Sequence, residues 1–332
     1  MNLIDLARNF IDEESAVSFL ESKLWPDGPI CRKCGMIGEA YRIRSKASSQ
    51  NKVRPGLWKC KACRKPFRVT MGTIFEDSHI PVHKWLMVMH LMAASKKGMS
   101  AHQIHRLMGV TYKTAWFMCH RIRWAMKRDT FAAPLAGEVE ADETYIGGKF
   151  RTGSQAVIPG ERPKDRVAPT ANKAPVVSLV ERNGEVRSFH VANVTGGNLK
   201  AVLAEHVDAA AHVMTDESMI YKGVGKQHAR HSTVNHKEKE HSRREADGTV
   251  ITTNTVEGYF SILKRGVYGT FHHVSKHHLH RYLSEFDFRY NSRDIKDGER
   301  SQLAIKSVVG KRLTYYPSKA GTADSVVGEQ KA

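Results

Sequence analysis

Two sets of side chains stand out for the chemistry their types and spacing permit. Cys31-Arg32-Lys33-Cys34 and Cys60-Lys61-Ala62-Cys63 form two close pairs, and the fifth cysteine, Cys119, stands alone. Each pair can sit on a turn that aims two thiolates at one ion, and two such turns complete the tetrahedral sulfur shell that zinc prefers. The second set is acidic. Asp142 closes the alternating run that begins at Glu138, Asp216 closes the short apolar run from His212, and Glu257 lies on an amphipathic helix from Asn254 to Gly266. Three carboxylates converging from distant parts of a chain make a hard oxygen site for Mg²⁺ or Mn²⁺. Such ions activate a hydroxyl and stabilise the leaving oxygen in a displacement at phosphorus. Gathered acids also repel one another, so at least one pKa should rise until a cation relieves it. Glu140, Glu143 and Glu217 are the neighbouring carboxylates that compete for these places. Lys264 shares the polar face of Glu257 and offers a point charge to a substrate phosphate.

The elements that must position these groups follow from periodicity and caps. Tyr41, Ile43, Val53 and Trp58 lie between the cysteine pairs and read as short strands, so residues 1–70 are expected to hold a packing helix, capped by Asp12, and a zinc ribbon. Residues 71–132 read as helical. An apolar helix runs from Pro81 to Lys97, Ser100 caps a second, Gly109 turns the chain and Thr111 caps a third. This is helix-turn-helix grammar. It places Ala115, Cys119, Ile122 and Met126 inside, and Lys113, His120, Arg121, Lys127 and Arg128 outside, where they would meet DNA. The pattern breaks from Phe131 to Gly137, and an α/β domain is expected to follow. Its order is a strand to Asp142, a basic loop at 151–173, and strands at 174–180 and 185–191 joined by an Asn183-Gly184 turn. A helix around Leu199 to Val207, a strand ending at Asp216 and the helix of Glu257 complete it. No regular structure is predicted for 217–253. A loop at 268–274, a helix capped by Ser275, and a C-terminal region at 294–332 with a helix near 300–308 close the chain.

Composition narrows the partners. The 332 residues carry a formal net charge of +18, which favours a polyanion, because neutralised phosphates release their counterions. No run of eighteen apolar residues or signal-peptide pattern is present, which argues against a membrane. Paired cysteines suit a reducing compartment and a metal better than disulfides. A soluble, intracellular protein that meets nucleic acid is expected.

Several stretches carry a resemblance. The cysteine ribbon, Glu140-Ala-Asp142-Glu-Thr-Tyr-Ile-Gly-Gly-Lys149, Thr215-Asp216-Glu217 and Asn254 through Gly266 look like the DDE transposases of bacterial insertion sequences. Within these, the match is to the group related to the Merlin elements. The continuation Tyr268 to Lys276 and Leu279 to Asn291 is similar too. The resemblance implies a ribonuclease H-like catalytic domain over 138–293 that binds element ends, cuts strands with metal and joins the freed 3′-hydroxyl to target DNA. It assigns the acids to Asp142, Asp216 and Glu257 and the following basic residue to Lys264, and Arg265 beside it is expected to contact DNA. It also implies a homo-oligomer that handles two ends together, in a bacterial cytoplasm at the nucleoid. Some relatives carry Asn at the third position, and Asn254 lies one turn before Glu257. His231, Asn235 and His236 read as positioning residues or surface histidines. Two other functions fit the same motifs: a DNA-binding regulator built from ribbon and helix-turn-helix, and a nuclease that never joins strands.

Overall fold

The computed structural model describes residues 12–44, 53–127, 133–147, 173–223 and 227–314, with Ile4, Asp5, Arg8 and Phe10 before them. The basic loop expected at 151–173 lies outside these residues except for Lys173, and so does the tail after Thr314. The chain divides into two compact units. One comprises residues up to Lys127 together with those from Ser292, and the other runs from Arg128 to Asn291.

In the first unit, helix α1 (Glu13–Leu24) starts where the Asp12 carboxylate accepts the Ser15 amide at 2.7 Å. Ala16, Val17, Leu20 and Leu24 are buried along one side of it. Strands β1 (Ala40–Arg42), β2 (Trp58–Cys60) and β3 (Pro66–Phe67) form a small antiparallel sheet in that order. It is tied to α1 by the Trp58 indole, which donates to Glu21 at 2.8 Å. Three helices follow: α2 (Val82–Ala94), α3 (Ala101–Met108) and α4 (Tyr112–Met126). Ser100 and Thr111 cap α3 and α4 by accepting the Gln103 and Thr114 amides, and Gly109 turns the chain at φ 60°. The C-terminal helix α8 (Asp297–Lys306) belongs to this unit and packs on α2. There His90 Nδ1 meets Ser301 Oγ at 2.8 Å and Arg300 donates to the Ala93 carbonyl at 3.3 Å.

Helix α4 corrects one expectation. A single apolar stripe places His120 and Arg121 outward, yet both are buried, as is Arg123. The Arg121 guanidinium donates to the carbonyls of Ile74 at 2.8 Å, Glu76 at 3.0 Å and Leu313 at 3.0 Å, and lies over the Phe117 ring. An arginine with three carbonyl acceptors inside the fold holds the fold together. His120 lies against the Trp116 ring. Lys113 and Lys127 are exposed as expected. Because charged hydrogen bonds of this kind contribute about 1.5–3 kcal/mol each, Arg121→Ala is expected to destabilise the unit by about 3 kcal/mol in urea denaturation. Loss of DNA affinity at unchanged stability would restore the outward assignment.

The second unit is built on a five-stranded sheet of order β6-β5-β4-β7-β8. Its strands are β4 (Glu138–Ile146), β5 (Ala174–Glu181), β6 (Val186–His190), β7 (His212–Asp216) and β8 (Arg230–Val234). β4, β7 and β8 run parallel, whereas β5 pairs antiparallel with both β4 and β6. Asn183 at φ 57° makes the β5–β6 turn that its Asn-Gly sequence predicts. Alternation then sorts the two faces. Val139, Ala141, Val177 and Leu179 pack with Leu199 and Leu203 of α5 (Gly196–His206). Ile146, Val176, Val180 and Val186 pack with α6 (Asn254–Gly266) and α7 (Lys276–Asn291). Each fully buried aliphatic side chain here contributes about 1.5–3 kcal/mol. The last residue of α7 seals the edge strand: Asn291 accepts the Val186 amide at 2.7 Å and donates to the Val186 carbonyl at 3.0 Å.

Two stretches differ from expectation. Residues 217–253 hold β8 and a short hairpin, β9 (Ser242–Arg244) with β10 (Val250–Thr252). Arg-His-Ser-Thr-Val in β8 is too polar for a buried-strand pattern because it forms the edge of the sheet. The loop expected after Gly266 begins as a π-helical turn, Val267–Phe271, that extends α6.

Candidate active site and zinc centre

Sheet register decides where the acids stand. Along the parallel β4–β7 pair, Glu138 is opposite His212 and Glu140 opposite Met214, and the same register continued sets Asp142 level with Asp216. Pairing to β7 stops at Glu140, while β4 stays bonded to β5 as far as Ile146. Asp142 is therefore in mid-strand, not at a strand end, and sits just past the point where the two parallel strands cease to pair. Burial pushes its carboxyl up to about 7. The Glu143 amide, which donates to Oδ1 at 2.7 Å, opposes the rise, and the charges of Glu143, Asp216 and Glu257 add to it. Residues from two strands and a helix thus act on one carboxyl, after burial itself.

Their oxygens are not gathered into one ligand set. Among the described residues, the four cysteines are the one group of three or more His, Cys, Asp or Glu whose ligand atoms lie within 4.8 Å of one another. Each acid has a local partner instead. Asp216 Oδ1 accepts the Ser218 amide at 3.0 Å. Glu257 Oε1 accepts the Thr253 hydroxyl at 3.2 Å and lies 3.4 Å from His236 Nε2. Glu143 accepts the Tyr221 hydroxyl at 2.6 Å, and burial raises its pKa despite that bond. Hydrogen bonds from its own and the His236 backbone amides hold Glu217 below the usual carboxylate range.

A pH dependence follows for metal-free protein. In the fold Asp142 keeps its proton up to about pH 7, whereas an ordinary aspartate loses it near 3.8. Between those values the native state binds more protons than the unfolded one, so stability falls as pH rises, and the loss is complete above the folded pKa. The melting temperature of Asp142→Asn relative to wild type should therefore climb by several degrees from about pH 4 to about pH 8. Parallel curves would remove Asp142 as the source of the slope.

Glu140 is corrected as a competitor for metal. It is fully buried, and both its oxygens are committed. Oε1 takes Arg182 Nε at 2.9 Å and the Thr255 hydroxyl at 2.8 Å, while Oε2 takes the amides of Thr255 at 2.8 Å and Val256 at 3.1 Å. Of the three histidine-region residues, His236 reaches the acids, His231 bonds Thr215 Oγ1 at 3.0 Å, and the Asn235 amide donates to Glu240 at 3.0 Å. Asn254, Glu257, Lys264 and Arg265 are all exposed on α6, and the Lys264 ammonium lies 6.0 Å from the Phe260 ring centre. Sequence reasoning missed Arg182 and Tyr221. Their signal, an arginine in a hairpin turn and a tyrosine five residues after Asp216, has no meaning until the sheet is assembled.

The sulfur centre is compact. Cys31 and Cys63 Sγ lie 3.7 Å apart, as do Cys34 and Cys60 Sγ. A tetrahedral zinc with bonds near 2.3 Å places its sulfurs about 3.8 Å apart, so the thiols fit the ion. Gly35 at φ 76° and Arg64 at φ 58° hold matching left-handed positions after the two pairs. Burial works against the Cys31 thiolate, but the Lys33 and Cys34 amides and neighbouring thiols lower its pKa to about 7. Cys34 gains from the Met36 amide, yet burial and the other three thiols push it up to about 11. Cys119 is buried in α4 apart from the ribbon cysteines.

Comparison with known proteins finds two family matches. Residues 11–66 match the transposase zinc-ribbon domain, and residues 134–291 match the ISXO2-like transposase domain. An uncharacterised protein in transposable element ISH50 of Halobacterium salinarum is 25% identical over 293 residues, covering 85% of this chain and 92% of that relative. Among the described residues, no helix is long and apolar enough to cross a membrane.

Proposed function

Because the chain belongs to the insertion-sequence transposases that join a zinc ribbon to an ISXO2-like transposase domain, we propose that it carries out both halves of transposition. It binds the ends of its element, cuts strands in a metal-dependent reaction and transfers the freed 3′ ends to target DNA. The observation that carries this reading is the strand register that sets Asp142 level with Asp216 where β4 and β7 cease to pair, with the charges of Asp216 and Glu257 adding to the effect of burial on the Asp142 carboxyl. A mixed sheet in which β5 alone runs against its four companions supports a ribonuclease H-like domain. Hard carboxylate oxygens fit Mg²⁺ or Mn²⁺, held by Asp142, Asp216 and Glu257. Bound there, the ions supply an activated hydroxyl and shield the charge on the leaving oxygen.

The chain's own residues do the rest. His236 and the Thr253 hydroxyl orient the Glu257 carboxylate from one side. Lys264 stands about two turns along the same helix and takes a DNA phosphate as a point charge, with Arg265 beside it. Lys113, exposed in the first turn of α4, contacts DNA from the α3–α4 pair, joined through Gly109 as a helix-turn-helix. The ribbon with its zinc keeps the N-terminal region folded. Two element ends must be processed together, so the working species is a homo-oligomer.

The test uses zinc-loaded wild type and Asp216→Asn with DNA carrying the element's own ends, in Mg²⁺ or Mn²⁺. Wild type should cleave and join, and the variant should bind ends and do neither. Nicking without joined products would favour the nuclease. Binding by both proteins with reaction by neither would favour the regulator.

A further inference from the structure

Helix α6 begins without a side-chain cap of its own. Thr253 stands at the N-cap position, but its side chain caps no amide, and its hydroxyl goes to Glu257 instead. The first amides of a helix need acceptors, and the helix dipole favours a negative charge there. Both needs are met by a residue more than a hundred positions away, since the buried Glu140 carboxylate takes the Thr255 and Val256 amides. Four donors saturate its two oxygens, so Glu140 has no lone pair left for an ion. Arg182 neutralises the carboxylate and extends the brace. Its guanidinium also meets Glu138 at 2.6 Å, the Val250 carbonyl at 2.6 Å and the Thr252 carbonyl at 3.4 Å. The β5–β6 turn, strand β4 and the segment entering α6 are thereby fastened at one buried point.

We propose that Glu140 is a positioning residue for the metal site: it docks the first turn of α6 on β4 and so sets Glu257 against Asp142, two residues along the same strand. The assignment rests on the reading of Asp142, Asp216 and Glu257 as metal ligands. A carboxylate one layer behind a metal ligand typically changes metal affinity or activity 10–100-fold when removed. Glu140 differs in acting through a helix terminus, because the loosened part is the turn that carries Glu257.

Glu140→Gln leaves an amide NH₂ facing donors, so part of the brace must break. Three readouts are compared in full-length, zinc-loaded protein. Mn²⁺ binding without DNA should weaken about tenfold, amide exchange at residues 254–257 should speed up, and affinity for end DNA should stay within about twofold. Glu285→Gln breaks the buried Glu285–Arg289 pair of α7 and serves as the stability control. It should lower the melting temperature without moving Mn²⁺ binding. Thr255→Val removes only the hydroxyl donor, and should shift Mn²⁺ binding the same way by about threefold even if Glu140→Gln does not accumulate folded. Asp142→Asn separates the two ideas. If it abolishes Mn²⁺ binding while Glu140→Gln and Thr255→Val leave it unchanged, the positioning role is wrong and the metal site stands. If Asp142→Asn itself binds Mn²⁺ as wild type does, the metal-site reading falls. An equal Mn²⁺ shift in Glu285→Gln would reduce Glu140 to a general stabiliser.

Discussion

Asp216→Asn is expected to slow metal-dependent strand cleavage by at least about three orders of magnitude, on the order of 4 kcal/mol of transition-state stabilisation, while end binding changes by less than about twofold. The substitution is nearly isosteric, and the Ser218 amide can still donate to the retained side-chain oxygen. What disappears is one of the charges that raise the Asp142 pKa. The variant should therefore fold at least as well as wild type without metal, because a buried repulsion has been relieved. A gain in stability together with a loss of rate is the signature of a charge kept for chemistry. Parallel assays of cleavage rate, end affinity and metal-free melting temperature read all three. A variant that cleaves within about tenfold of wild type would remove Asp216 from the reaction.

Cys60→Ser should produce the second large effect, confined to the N-terminal region. Zinc in a module of this kind supplies folding free energy of order 10 kcal/mol, more than three strands of two or three residues can generate from burial. The serine variant is expected to lose stoichiometric zinc and the protection of β1 to β3 in amide exchange. Trp58, whose indole bonds Glu21, should shift its fluorescence toward that of an exposed indole. Mn²⁺ binding by the acids should persist, since Asp142, Asp216 and Glu257 belong to the other compact unit. Loss at both centres together would contradict two separate metal sites.

Legibility in the sequence followed the kind of signal involved. The cysteine pairs were readable because their spacing encodes geometry locally, and the four sulfurs do converge. The hairpin at Asn183-Gly184, the caps at Asp12, Ser100 and Thr111, and the apolar stripe of α6 were readable for the same reason: each rule acts within a few residues. Side chains that depend on long-range partners were not. A single apolar stripe on α4 left His120 and Arg121 outside, although that helix is enclosed on more than one side and Arg121 finds its acceptors in residues 74, 76 and 313. Glu140 looked like one more acid beside Asp142, because nothing near it in sequence discloses the helix terminus it serves. Strand β8 escaped notice because an edge strand need not be apolar.

Helix α8 imposes an order of assembly. It completes the unit that begins at the N-terminus, through His90–Ser301 and Arg300–Ala93, yet among the described residues it is the last helix made. The second unit is continuous in sequence and can close as soon as Asn291 has left the ribosome. Helix α2 must wait for partners more than two hundred residues downstream, a loop that an already folded insert effectively shortens. Synthesis therefore finishes the middle of this chain before its beginning. A copy of the gene truncated after residue 291 would yield an intact sheet, with all three acids present, beside an N-terminal unit lacking the helix that α2 packs against.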